Sequence, residues 1–181
     1  MAPVLFADAA AFEAWLGEHH ATAAEVWIRV GRKGSGVASL SVGEALDVAL
    51  CFGWIDGQRK GLDERHFLQR YVPRRPRSSW SQVNVAKVEA LTAAGRMRPA
   101  GLAEVAKAQT DGRWAAAYPS QRTATVPPDL AAALAADHRA RAAFEALPGT
   151  ERYLIILRLL KLRTEAGRAA RVRAVVERLG G

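Results

Sequence analysis

Apolar residues recur along this chain with two different periods, and the switches between them outline its elements. Behind Asp8, a residue suited to capping, Phe12, Trp15 and Leu16 fall at helical spacing. From Glu25 to Gly31 the period shortens to two. Val26, Ile28 and Val30 take one face of a strand, and Trp27 and Arg29 take the other. Arg32 to Gly36 reads as a turn. Ser41-Val42-Gly43-Glu44 has capping-box spacing and predicts a helix through about Leu50. Phe52–Gln58 and His66–Val72 read as the two strands of a hairpin, connected by Gly61–Arg65, and Pro73 and Pro76 end the second strand. Ser79 to Gln82 repeats the capping-box spacing and predicts a helix to about Ala94, stopped by Gly95. Pro99 suits the first turn of another helix, to about Ala108.

Between Gln109 and Pro128 the periodicity lapses, with Asp-Gly, Tyr-Pro and Pro-Pro pairs in the gap. Trp114 and Tyr118 are expected to pin this stretch against one domain. Beyond it, Asp129–Ala136, Arg139–Leu147, Thr150 to about Leu162 and Thr164–Leu179 all read as helices. The fold class is therefore α+β. A small antiparallel sheet packs with helices in an N-terminal domain over residues 1–110, a linker covers 111–128, and an all-helical C-terminal domain covers 129–181.

Charge changes the picture most. The 181 residues hold 26 Lys/Arg against 18 Asp/Glu, a net charge of +8, which favours anionic partners and equally suits an Arg-rich solubilising surface. Cys51 is the only cysteine, so no intrachain disulfide forms and a reducing compartment fits. No stretch is long and apolar enough to span a bilayer, no signal-peptide pattern opens the chain, and cytoplasmic localisation is expected. No P-loop, dinucleotide fingerprint, nucleophile elbow or metal-ligand spacing is present, and neither cofactor nor metal is expected.

Within Asp56–Arg77, seven Lys/Arg face three acids, with aromatics between them. Arg70, Arg74, Arg75 and Arg77 fall in eight residues without an acid, and Pro73 and Pro76 stiffen the run, which lowers the entropy lost on binding an anion. Arginine forks grip phosphate or carboxylate at two points. Ser78, Ser79 and Ser81 add hydroxyls where a helix begins. One hairpin register places Asp56 beside Arg70 and near Trp54; a shift by one separates them, and Asp56 before Gly57 also fits a simple turn. Trp54 and Trp80 would flank the site, and Asn84, on the apolar stripe of the next helix, either satisfies backbone or meets a ligand. The candidate ligand-binding residues are Trp54, Asp56, Lys60, Arg70, Arg74, Arg75, Ser78, Trp80, Ser81 and Asn84. The plain alternative is a solvated basic loop with an ordinary serine cap.

Leu50-Cys51-Phe52-Gly53-Trp54-Ile55-Asp56-Gly57, with Lys60 and Asp63, then Arg70, the run Pro73–Ser81 and Asn84, resemble the YdeI/OmpD-associated (bacteriocin-protection) family, as do Gly34-Ser35-Gly36 and Gly95–Leu102. The resemblance implies a bacterial cytoplasmic protein with a proposed link to resistance against bacteriocins or cationic antimicrobial peptides. It also implies an α+β N-terminal domain, and it carries no established catalytic residues. A chain at +8 repels cationic peptides, so an indirect role through an anionic small molecule or phosphate-bearing ligand is expected. The alternatives are nucleic-acid binding, with Trp80 stacking on a base, and an enzyme on a small anionic substrate, with Asp56 or His66 carrying a proton.

Overall fold

A computed structural model describes residues 2–181, and among them it has eight helices and one three-stranded antiparallel sheet. The first unit runs through Trp80 and again over Asn84–Ala116; the second comprises Ser81–Val83 and Ala117–Gly181. In the first unit Asp8 accepts the Ala11 amide at 2.9 Å and opens α1 (Ala9–His19). β1 (Val26–Gly31) follows, then α2 (Val42–Cys51), where Ser41 and Glu44 make both bonds of a capping box. β2 (Trp54–Gly61) and β3 (His66–Pro73) form the hairpin, and the sheet order is β1-β3-β2. α3 (Gln82–Ala93) and α4 (Pro99–Thr110) complete the ordered elements of this part.

The alternation of β1 decides which face is buried. Val26, Ile28 and Val30 lie inward with Tyr71 and Trp54, against Phe12 and Leu16 of α1 and Val48 of α2. Trp54 is 1 % exposed, and its indole N–H donates to the His20 carbonyl at 3.2 Å. The Cys51-Phe52-Gly53-Trp54 motif makes this geometry. Gly53, at φ 75°, turns the chain from α2 into β2, and the Arg98 amide donates to the Cys51 carbonyl at 3.0 Å, docking α4 on the end of α2. Burial pushes the Cys51 thiol up, so it stays protonated as a small hydrophobe.

The hairpin takes the register that separates Asp56 from Arg70. Asp56 lies opposite Tyr71, and a bulge between Asp56 and Arg59 leaves two extra-ladder residues, Gly57 and Gln58, on β2. The buried Gln69 side chain serves this irregularity: its amide donates to the Gly57 carbonyl at 3.1 Å and accepts from Arg59 Nε at 3.1 Å. The connection is shorter than expected, because β2 continues to Gly61. Asp63 closes it by accepting the Arg65 and His66 amides at 2.8 and 2.7 Å.

The second unit carries α5 (Pro128–Ala136), α6 (His138–Ala146), α7 (Gly149–Leu160) and α8 (Glu165–Gly180). Their shared core is Leu130, Leu134, Ala140, Phe144, Ile155, Leu159, Val172 and Val175. Asp137 and Thr164 cap α6 and α8 with their side chains. Thr150, expected to cap α7, lies inside it instead, because Pro148 already supplies a fixed φ at the N-cap position. No helix among the described residues is long and apolar enough to cross a membrane.

Candidate functional site: a braced cationic bend

β3 ends where the Arg74 amide donates to the Gly53 carbonyl at 3.0 Å. The chain then reverses over Arg75-Pro76-Arg77-Ser78, with the Ser78 amide donating to the Arg75 carbonyl at 3.1 Å. Proline in second place and a positive φ in third place make the pattern of a type II turn. The third place normally takes glycine or asparagine. Here it is Arg77, at φ 65°, the one non-glycine residue with positive φ among those described. Arg77→Gly is expected to stabilise the first unit by about 1 kcal/mol, since glycine occupies this region without a Cβ penalty. Chemical denaturation of the variant checks this; an unchanged or lower midpoint would show that the turn is unstrained.

Two buried arginines hold the far arm of the bend. Arg74, 6 % exposed, lies with its guanidinium 3.6 Å above the Trp80 ring and donates to the Ser79 carbonyl at 2.9 Å. Arg113, also 6 % exposed, donates to the Ser78 carbonyl at 3.0 Å while its Nε engages Asp111 at 2.7 and 2.8 Å. Trp80 packs on Trp114 with ring centroids 4.8 Å apart. With the arm fixed in this way, the exposed side chains of Arg75 and Arg77 meet no carboxylate among the described residues. Ser78 Oγ and Trp80 Nε1, buried in the same segment, make no hydrogen bond among the described residues.

The remaining candidate residues do not converge on the bend. Trp54 is in the core, on the face of the sheet that α1 and α2 cover. Asp56 and Arg70 do not pair, because the actual register puts them on opposite faces. Asp56 instead sits across from Tyr71, whose phenol is pushed well up, first by burial and then by the Asp56 charge. Arg70 lies on the solvent side with Lys60. It engages Glu25, with Nε 2.7 Å from Oε2, while the Trp27 indole donates to the same carboxylate at 3.1 Å and Lys60 sits 4.8 Å over the Trp27 ring. Trp80 is 2 % exposed, so its ring is closed to base stacking. The expected helix start at Ser79 moves to Gln82, whose amide is taken by the Tyr118 carbonyl at 2.9 Å. Ser81 bridges Tyr118, and Asn84 is half-buried on α3 with its own partner.

The Arg70 guanidinium, more than any other group, holds the Glu25 carboxyl below its usual range. A carboxylate lowered in the folded state stabilises above its unfolded pKa, and that contribution fades as pH falls through the folded value. Arg70→Gln is expected to move the Glu25 titration up toward the ordinary carboxylate range, followed by carboxyl-carbon NMR; no movement would show that the pair is inconsequential.

Residues 4–104 match the family described as Domain of unknown function (DUF8412), and residues 123–180 match the one described as Bacteriocin-protection, YdeI or OmpD-Associated. The chain belongs to the DUF8412 family, and its C-terminal end is similar to the YdeI or OmpD-associated family. No curated protein and no solved structure matches the chain. The braced bend, from Arg74 to Trp80, lies wholly inside the DUF8412 match, while the YdeI or OmpD-associated match takes in α5 to α8. Arg113 and Trp114, which complete the brace, fall between the two matches. Sequence reading expected Trp114 to pin this stretch but missed Arg113 as its companion brace. The signal available was an arginine-tryptophan pair, itself rich in contact chemistry, inside a stretch without periodicity.

Proposed function

We propose that this is a cytoplasmic, non-enzymatic anion-binding protein that contributes to bacteriocin or antimicrobial-peptide protection indirectly, by holding a phosphate-bearing ligand at Arg75 and Arg77. One observation carries the reading: a turn strained at Arg77 and clamped by Arg74 and Arg113 presents two guanidinium groups that no carboxylate among the described residues neutralises. Strain of this kind persists only where surrounding structure over-determines it. A pre-set bend spends little ordering entropy on binding, and guanidinium forks match phosphate oxygens. The net charge of +8 draws anions toward the surface and works against capture of a cationic peptide.

The enzymatic alternative finds less support. His66 is committed to Asp63, with Nδ1 2.9 Å from Oδ1, and Asp56 stands on the exposed part of β2 across from a buried tyrosine. The test is calorimetric titration with inorganic tripolyphosphate, and separately with a polycationic peptide, at about 0.15 M salt, where surface charges are largely screened beyond ~8 Å. Saturable binding of tripolyphosphate and none of the peptide is expected. Peptide binding without tripolyphosphate binding would overturn the reading.

A further inference from the structure

In the second unit, the segment after Tyr118 is tied along α7 rather than left loose. Tyr153 donates its hydroxyl to the Pro119 carbonyl at 3.0 Å, Gln121 donates to Thr150 Oγ1 at 3.4 Å, and Lys161 sits 4.7 Å over the Tyr118 ring. Held at these points, the segment stands off the helices and leaves a cavity of about 290 Å³. Ala124, Val126, Phe144 and Ile156 supply its apolar wall; Gln121 and Arg152 supply the polar side. Ligand pockets commonly hold ~300–1,000 Å³, so this one suits a small guest.

The polar side has one sign. Among the described residues no acid lines the cavity, and the exposed Arg152 side chain meets no carboxylate. A cationic guest would be repelled there. A phosphate dianion would bring a second charge against the apolar wall with nothing to match it. One planar guanidinium fits one carboxylate in the two-pronged manner, and Gln121 offers an amide beside it.

We infer that this cavity binds a small monocarboxylate with a compact, branched apolar body, its carboxylate on Arg152 and Gln121 and its body against Phe144, Ile156 and Val126. The site is separate from the bend and independent of the function proposed for it. It also falls within the YdeI or OmpD-associated match, apart from Gln121 just before the matched residues.

The test is an amide NMR titration of the full chain with isocaproate and with its uncharged analogue isocaproamide. Isocaproate is expected to shift the amides of Gly149, Arg152 and Tyr153 saturably and to bind at least about tenfold more tightly than isocaproamide, the difference one lost ionic contact makes. Arg152→Gln, a change at an exposed position, should erase that preference. Ala124→Leu should fill the cavity from the segment side and remove binding of both compounds, while neutralising Arg75 and Arg77 should leave it unchanged. Equal affinity for acid and amide, a preference surviving in Arg152→Gln, shifts mapping elsewhere, or no saturable shift would overturn the inference.

Discussion

Neutralising both arginines of the turn, as Arg75→Gln with Arg77→Gln, is expected to weaken tripolyphosphate binding by at least about tenfold, and up to about a hundredfold if both guanidinium groups contact the ligand directly. Hydrogen bonds to charged groups contribute ~1.5–3 kcal/mol each, exposure lowers that figure, and each 1.4 kcal/mol is a factor of ten. Folding should be untouched, because both side chains are exposed and neither forms an ion pair among the described residues. The Arg77→Gly variant separates the two effects further, since it should gain stability while losing affinity. Calorimetry of the double variant beside the parent protein checks the claim, and unchanged affinity would move the anion site away from the bend.

Gly101→Val is expected to cost the first unit roughly 3 kcal/mol, at the upper end of ordinary overpacking. A Cβ at this position would stand 2.8 Å from the Cys51 carbonyl carbon and 2.9 Å from the Leu50 carbonyl oxygen. Both neighbours are backbone and cannot rotate away, so α4 must lift from the end of α2. That junction receives the Arg98 amide and precedes the Gly53 turn into β2, so its loss reaches the hairpin and the start of the bend through Arg74, whose amide is held by Gly53. For a chain of this size the melting temperature should fall by about 6–12 °C in the transition of that unit. A melting temperature within a degree or so of the parent would mean that α4 docks loosely and contributes little to placing the bend.

How much of this was legible beforehand depended on how local the cause was. Asp8, Ser41 and Thr164 announce helix starts because a cap acts within one turn of its own helix. The alternation of β1 separates Val26, Ile28 and Val30 from Trp27 and Arg29 because it reflects one buried face. The choice between the two registers of Asp56 and Arg70 was not legible for a non-local reason. The bulge that shifts the register is supported by Gln69 reaching from the neighbouring strand, and nothing in the Asp56–Gln58 segment itself reports that partner. Trp54 and Trp80, lying among cations, suit a binding surface by composition. Their burial depends on α1 and on Trp114, which are distant in sequence. Arg74 likewise reads as one more basic residue of the run, yet its place over Trp80 makes it a brace for its neighbours.

Anion recognition is proposed to be concentrated on the bend and not spread over a basic surface. Nitrogen-resolved NMR of the guanidinium Nε–H groups during a tripolyphosphate titration reads this directly. Saturable shifts confined to Arg75 and Arg77, with Arg158 and Arg171 of the helical unit unmoved, are the predicted result. Weak, parallel shifts across all exposed arginines would contradict it and reduce the bend to a structural corner.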